Sequence, residues 1–203
     1  NVRRRVVRRR SHVSPTDTGV LDTLGMFDAA FGLPDQMAAA VELASSVDGL
    51  PDASAVTSIL VLGMGGSGIS GDIMALVASE HGRVPVEVSR HYELPAHVGP
   101  HTLVMAVSFS GDTEETVVAA EAAVAAGAPV VAVTTGGALG DLVSAAGGGV
   151  CGLPKGIPLP RAALGAVGLT PGVLATRLGR LNDTAAAVDA AIAAAAGRRG
   201  GNA

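Results

Sequence analysis

Aromatic side chains are scarce in this chain: three Phe, one Tyr and no Trp among 203 residues. With 48% apolar residues but so few rings, a core has to be built from Val, Leu, Ile and Ala. Cysteine is represented once, by Cys151, which excludes an internal disulfide; we expect a small apolar filler in a cytoplasmic protein. No apolar run reaches the ~18 residues that a membrane-spanning helix requires, and no secretory signal is apparent. The five histidines do not fall at metal-ligand spacing, so neither a metal nor another cofactor is expected. No Ser-His-Asp or Cys-His arrangement can be assembled either.

Positive charge is short everywhere but at one end. Six of the 14 basic residues are Arg3, Arg4, Arg5, Arg8, Arg9 and Arg10, which leaves eight to face 18 acidic residues in the rest of the chain. An acidic body with a basic tip is not a nucleic-acid surface. Residues 1–16 are expected to be a disordered arm. The first residue is Asn1 rather than Met, and we expect the sequence to be part of a longer protein. The length suits one good-sized domain with appendages, or two small ones. The 28 glycines and the alanine runs reflect composition as much as structure, so a single Gly or Ala says little.

One stretch does say a great deal. In residues 57–71, TSILVLGMGGSGISG, the run Ile59-Leu60-Val61-Leu62 predicts a buried strand. It breaks at Gly63-Met64-Gly65-Gly66-Ser67-Gly68 and resumes as a helix from Ile69 to Ala78. Such a turn aims free backbone N–H groups and the positive end of a helix dipole beyond the sheet, which suits a phosphate. Glycine lets the ligand approach the backbone and permits positive φ.

The remaining pattern alternates. From Asp17, Val20, Leu21, Leu24, Phe27 and Phe31 give a helical spacing that Gly32-Leu33-Pro34 interrupts. A second helix carries Met37, Val41 and Leu43, with Asp35 as its N-cap. Strands are predicted at 83–88, 102–107, 129–134 and 149–153, with helices at 114–126 and 139–145 between them. Gly156 to Arg161 reads as an extended, proline-stiffened segment. Asn182-Asp183-Thr184 offers caps for a last Ala-rich helix with Leu181, Val188 and Ile192 in line, and Gly197 to Ala203 should fray. This order predicts an α/β protein with a doubly wound, five-stranded parallel sheet covered on both faces.

With strand order 2-1-3-4-5, the glycine turn and the turn Ser108-Phe109-Ser110-Gly111-Asp112-Thr113 share one crevice beyond the strands' carboxyl ends. Ser108, Ser110 and Thr113 supply three hydroxyls at a helix N-terminus, a cradle for a phosphate monoester. Capping is the simpler role for that turn, with Asp112 and Glu115 as a capping box. An NAD site is a separate alternative, because Gly63, Gly65 and Gly68 satisfy G-x-G-x-x-G and Glu87 follows at the end of the second strand.

Residues 63–72 (GMGGSGISGD), 108–116 (SFSGDTEET) and 158–165 (PLPRAALG) together resemble the sugar isomerase (SIS) domain. More closely, they resemble the first half of the bifunctional phosphoglucose/phosphomannose isomerases, whose lead-in is similar to Asp22–Gln36. The resemblance covers about residues 17 to 165. It implies a flavodoxin-like domain over residues 51–165, a helical lead-in at 17–50, a helical tail at 166–203, and a cytoplasmic homodimer acting on a hexose 6-phosphate. By the same resemblance Ser108, Ser110 and Thr113 hold the phosphate, Gly65, Gly66 and Ser67 line the sugar, and Arg161 stabilises an enediolate. The implied chemistry is aldose–ketose isomerisation. The family draws its base, a His and a Lys from a second SIS domain. Here the last Glu is Glu121, the last His is His101 and the sole Lys is Lys155, so that machinery is not visible. Glu93, Asp112 and Asp141 lie near predicted loops, and none is assigned as the base. A truncated isomerase and a non-catalytic sugar-phosphate module therefore both stay open, although residues 1–34 are too poorly patterned for a helix-turn-helix reader.

Overall fold

The computed structural model describes residues 23–182 and 184–200. The basic arm at 1–16, the start of the lead-in with Val20 and Leu21, the Asp183 cap and the last three residues lie outside the described residues.

Five parallel strands form one sheet in the order β2-β1-β3-β4-β5: β1 Ser58–Leu62, β2 Val86–Ser89, β3 Thr102–Val107, β4 Val130–Thr134 and β5 Val150–Gly152. The period of two divides their side chains between two cores. Ile59 and Val61, with Leu103, Met105, Val107, Val131 and Val133, enter one cluster. Leu60, Leu62, Val104, Ala106, Val130 and Ala132 enter the other. All six residues of β3 are buried, as a central strand covered on both faces requires. Cys151 is buried in the first cluster, and burial pushes its thiol up to about 11 against a weaker opposing pull from Arg177.

Helices α3 (Gly65–His81), α4 (Glu114–Ala125) and α5 (Gly137–Ala145) are the crossovers. The first cluster contains Met74 of α3. The second contains Ala119, Ala120 and Ala123 of α4 with Leu139 and Val143 of α5. The alanines give α4 a smooth face that seats close to the sheet. Among the described residues, no helix is long and apolar enough to cross a membrane.

Several boundaries differ from expectation for identifiable reasons. Helix α3 begins at Gly65 rather than Ile69, because Met64 O already accepts from Ser67 N at 2.9 Å and Gly68 N at 3.1 Å. Strand β2 starts at Val86 rather than Arg83; the Arg83 amide is committed to Arg180 O, beside the antiparallel bridge of Gly82 and Leu181. The lead-in is a short α1 (Met26–Phe31) followed at once by α2 (Leu33–Ser45). Pro34 lies inside the first turn of α2, where no amide donor is needed, so the N-cap is Gly32 and not Asp35. Met37, Ala40 and Ala44 form the buried stripe of α2, whereas Leu24, Phe27 and Phe31 are about half exposed.

Residues placed in the C-terminal tail include a further core helix, α6 (Leu164–Arg177), which packs against α2 and α3. It buries Val167, Leu174 and Ala175 and contains Pro171. The Arg177 Nη1 group donates to Ala44 O at 2.7 Å and Val47 O at 3.0 Å, closing the C-terminal end of α2. The last helix, α7 (Ala185–Gly200), also rests on α2.

Candidate functional site

Strand β1 lies between β2 and β3, so its crossover runs one way and the next crossover runs the other. The register Leu62↔Ala106 sets the glycine turn beside the serine turn at the carboxyl edge. A Cβ on Gly63 would lie 3.1 Å from Val107 O, which shows how closely the two strand ends approach. This is the switch-point crevice of an open parallel sheet.

On the β1 side, Met64 is extended and Gly65 opens α3 with φ of +50°. Gly65 and Gly66 are exposed and Ser67 half-buried. A Cβ on Gly65 or Gly66 would meet nothing within 4 Å, so the space in front of these residues is free for a ligand. The first turn of α3 contains no acidic residue, leaving the positive end of its dipole uncompensated.

On the β3 side, Ser108 is buried and its hydroxyl is already engaged. It accepts from Gly111 N at 3.0 Å and shares a 2.8 Å hydrogen bond with Thr113 Oγ1. The Ser108 amide continues the ladder to Val133 O. Ser110 is exposed, and its Oγ accepts from Asp112 N at 3.2 Å. Thr113, the other end of the Ser108 bond, is the N-cap of α4 and makes no side-chain bond to its amides, so the exposed hydroxyl of Ser110 and the half-buried one of Thr113 lie beside the first amides of α4.

The capping-box pairing of Asp112 with Glu115 is not formed. The Asp112 carboxylate instead accepts from Ala138 N at 2.9 Å, capping α5, which therefore starts at Gly137 instead of Leu139. The loop after β4 is clamped to the serine turn by Thr135 N and Thr135 Oγ1, both donating to Phe109 O, and by Leu139 N donating to Gly111 O. Gly111 has φ of +81°, and a Cβ there would collide with Gly136 O. The serine turn is thus fixed from both sides. Beside it, partial desolvation and the nearby Glu114 and Glu115 raise the Tyr92 hydroxyl above its ordinary range.

Arg161 was expected at the end of an extended segment. The chain is extended through Leu159 and then forms a 3-10 helix, Pro160–Ala163, that touches α1 and α3 and leads into α6. Ala162 and Ala163 are buried and anchor it, while Arg161 is exposed. Arg161 thus stands on the α3 side of the sheet.

Glu87 is not at the end of β2. It lies second in the strand, opposite Leu60, and its carboxylate is 3.3 Å from the His97 ring. The residue that follows β2 is Arg90. Its Nη2 donates to Gly68 O and Asp72 Oδ2 on α3. Sequence reasoning passed over Arg90; a basic residue immediately after a strand that neighbours the glycine turn was the available signal. Among the described residues, no three His, Cys, Asp or Glu are grouped to hold a metal ion.

Residues 54–141 match the family described as the SIS domain. The chain is 39% identical over 140 residues to a bifunctional phosphoglucose/phosphomannose isomerase of Caldicellulosiruptor bescii, covering 69% of this chain and 41% of that protein. It is 42% identical over 109 residues to the isomerase of the same name from Thermoplasma acidophilum, covering 54% and 33% respectively. The chain therefore spans about two-fifths of one curated relative and a third of the other. Its fold is similar to the C-terminal domain of glucosamine-fructose-6-phosphate aminotransferase from Francisella tularensis. That similarity has a TM-score of 0.63 at 15% identity and covers 87% of this chain and 54% of that one. Residues 54–141 thus match the SIS domain, and over 140 residues the chain is similar to a bifunctional phosphoglucose/phosphomannose isomerase.

Proposed function

We propose that this chain is the phosphosugar-binding portion of an aldose–ketose isomerase that interconverts glucose 6-phosphate or mannose 6-phosphate with fructose 6-phosphate. The observation that carries this reading is the pairing of two prepared turns at one crevice. The glycine turn has open space in front of Gly65 and Gly66. The serine turn is prewired by Ser108 so that its remaining hydroxyls need no reorganisation.

In this proposal the phosphate rests on Ser110, Thr113 and the first amides of α4, and Ser108, whose hydroxyl proton goes to Thr113 Oγ1 and so leaves the Thr113 proton for the phosphate, holds the turn. Gly65, Gly66 and Ser67 line the sugar. Arg161 offers a fixed positive charge to the oxyanion of a cis-enediolate formed when the C2 proton is removed and returned at C1. Asp112 is not the base, since its carboxylate caps α5. The base, together with the His and Lys expected of the family, belongs to the portion of the relatives that this chain does not span. Residues 51–165 act as the binding domain, with the lead-in and tail helices as its cover. Exposed Ile69 and Leu76 on α3 and Leu164 on α6 suit a homodimer in the cytoplasm.

The test is an isomerase assay on a chain extended to the length of the relatives, beside the present chain. Conversion of fructose 6-phosphate by the extended chain alone is expected. Binding without conversion by both would favour a non-catalytic sugar-phosphate module. Sedimentation of the same samples checks the dimer; a monomer at assay concentration contradicts it.

A further inference from the structure

The first turn of α3 presents a physical problem. Gly65, Gly66 and Gly68 occupy three of its first four positions, and each glycine in a helix costs about 1 kcal/mol relative to Ala. Such a turn frays unless it is held from outside, yet its amides are useful to a ligand only if they stay aimed.

Arg90 supplies the hold. It directly follows β2, whose register Leu62↔Ser89 brings it beside the end of β1, and Ser89 O accepts from Gly63 N at 3.3 Å. The Arg90 Nη2 group donates to Gly68 O at 3.1 Å and to Asp72 Oδ2 at 2.5 Å, two acceptors one helical turn apart on one face of α3. The guanidinium fits because residue 68 has no side chain: a Cβ there would stand 2.7 Å from Arg90 Nε. Gly68 and Arg90 are therefore complementary choices. Pairing with Arg90 also offsets the charge of Asp72, the acid on α3 nearest its glycine-rich start.

We propose that Arg90 is a positioning residue that braces the glycine-rich first turn of α3 through Gly68 O and Asp72, keeping that turn in its sugar-facing conformation. The sugar-facing part rests on the function proposed above; the bracing does not. Both bonds leave the same nitrogen, so what arginine adds over a lysine's point charge is a flat, fixed guanidinium whose Nε packs against Gly68 while Nη2 reaches both acceptors.

Amide hydrogen exchange of the wild type, Arg90→Met and Arg90→Lys tests the brace with no ligand present. Arg90→Met should speed exchange at Ser67, Gly68 and Ile69 at least tenfold while β3 and β4 stay protected, and Arg90→Lys should recover part of that protection. Unchanged exchange at 67–69, or a uniform rise across the sheet, would overturn the brace. Titrations with fructose 6-phosphate and with inorganic phosphate test the consequence. Arg90→Met should weaken the sugar phosphate about tenfold and leave inorganic phosphate, held by the serine turn, unchanged. Equal losses for both ligands would overturn the sugar-facing role. If Arg90→Met does not fold, Arg90→Lys and Asp72→Asn carry the same comparison, and wild-type exchange at 67–69 in Asp72→Asn would count against the brace. Failure of the wild type to bind either ligand would refute the proposed function and leave the exchange result to decide the brace.

Discussion

Ser108 and Ser110 are two residues apart and do different work. Ser108 is buried and accepts from the Gly111 amide, so Ser108→Ala leaves that amide without its partner. This should cost about 1–3 kcal/mol of stability, read from the midpoint of urea unfolding; an unchanged midpoint contradicts the wiring described. Ser110 is exposed, and its loss should spare the fold. Ser110→Ala is expected to weaken fructose 6-phosphate binding by about 1.5–3 kcal/mol, the usual range for a hydrogen bond to a charged group. The sequence marked both serines, but not this division of labour, because the identity of a serine does not reveal which neighbouring amide its hydroxyl faces. Cys151 gives a pH prediction. Burial raises its folded pKa to about 11, above its unfolded value, so its contribution is complete below the unfolded pKa and is lost as pH rises towards 11. Relative to Cys151→Val, the wild type should lose roughly 2–3 kcal/mol between pH 9 and 11. A flat difference in urea unfolding across that window contradicts this.

At the scale of elements, the strands were the most legible part of the chain. Val, Ile and Leu runs bounded by Gly and Pro leave little choice, and β3 matches its expected span of 102–107. The observed order β2-β1-β3-β4-β5 is the one under which the two ligand-suited turns were expected to share a crevice. Helix α6 lies in the span expected as a helical tail, but its burial as a separate core helix was hidden because Gly165, Gly168, Gly172 and Pro171 imitate a loop. Close packing supplies what propensity withholds. A Cβ on Gly165 would lie 2.6 Å from Leu33 Cδ1, and the Thr170 hydroxyl bonds to Ala166 O within the helix. Tertiary position likewise moved Glu87 away from the strand end and turned Asp112 towards α5, two outcomes that local spacing cannot encode. Arg177 ties α6 to Ala44 O in the last turn of α2 and to Val47 O just beyond it. Arg177→Met should therefore lower stability by about 1–3 kcal/mol, and a denaturation midpoint equal to the wild type would show that the tie is dispensable.

The described residues form a doubly wound sheet with the two proposed binding turns at its carboxyl edge and helices on both faces. Bonds from Thr135 and Leu139 to the serine turn, and from the Asp112 carboxylate to Ala138 N, fix one of the two proposed binding turns. Proton transfer is proposed to belong to the part of the relatives that this chain does not span. Binding and conversion are therefore separable, and phosphosugar binding by the two turns is the central proposal. Calorimetric titration of this chain with fructose 6-phosphate, and in parallel with NAD, tests it most directly. Saturable heat from fructose 6-phosphate and none from NAD is the predicted result. Heat from NAD alone, or from neither ligand, would contradict the assignment of the two turns as a phosphosugar cradle.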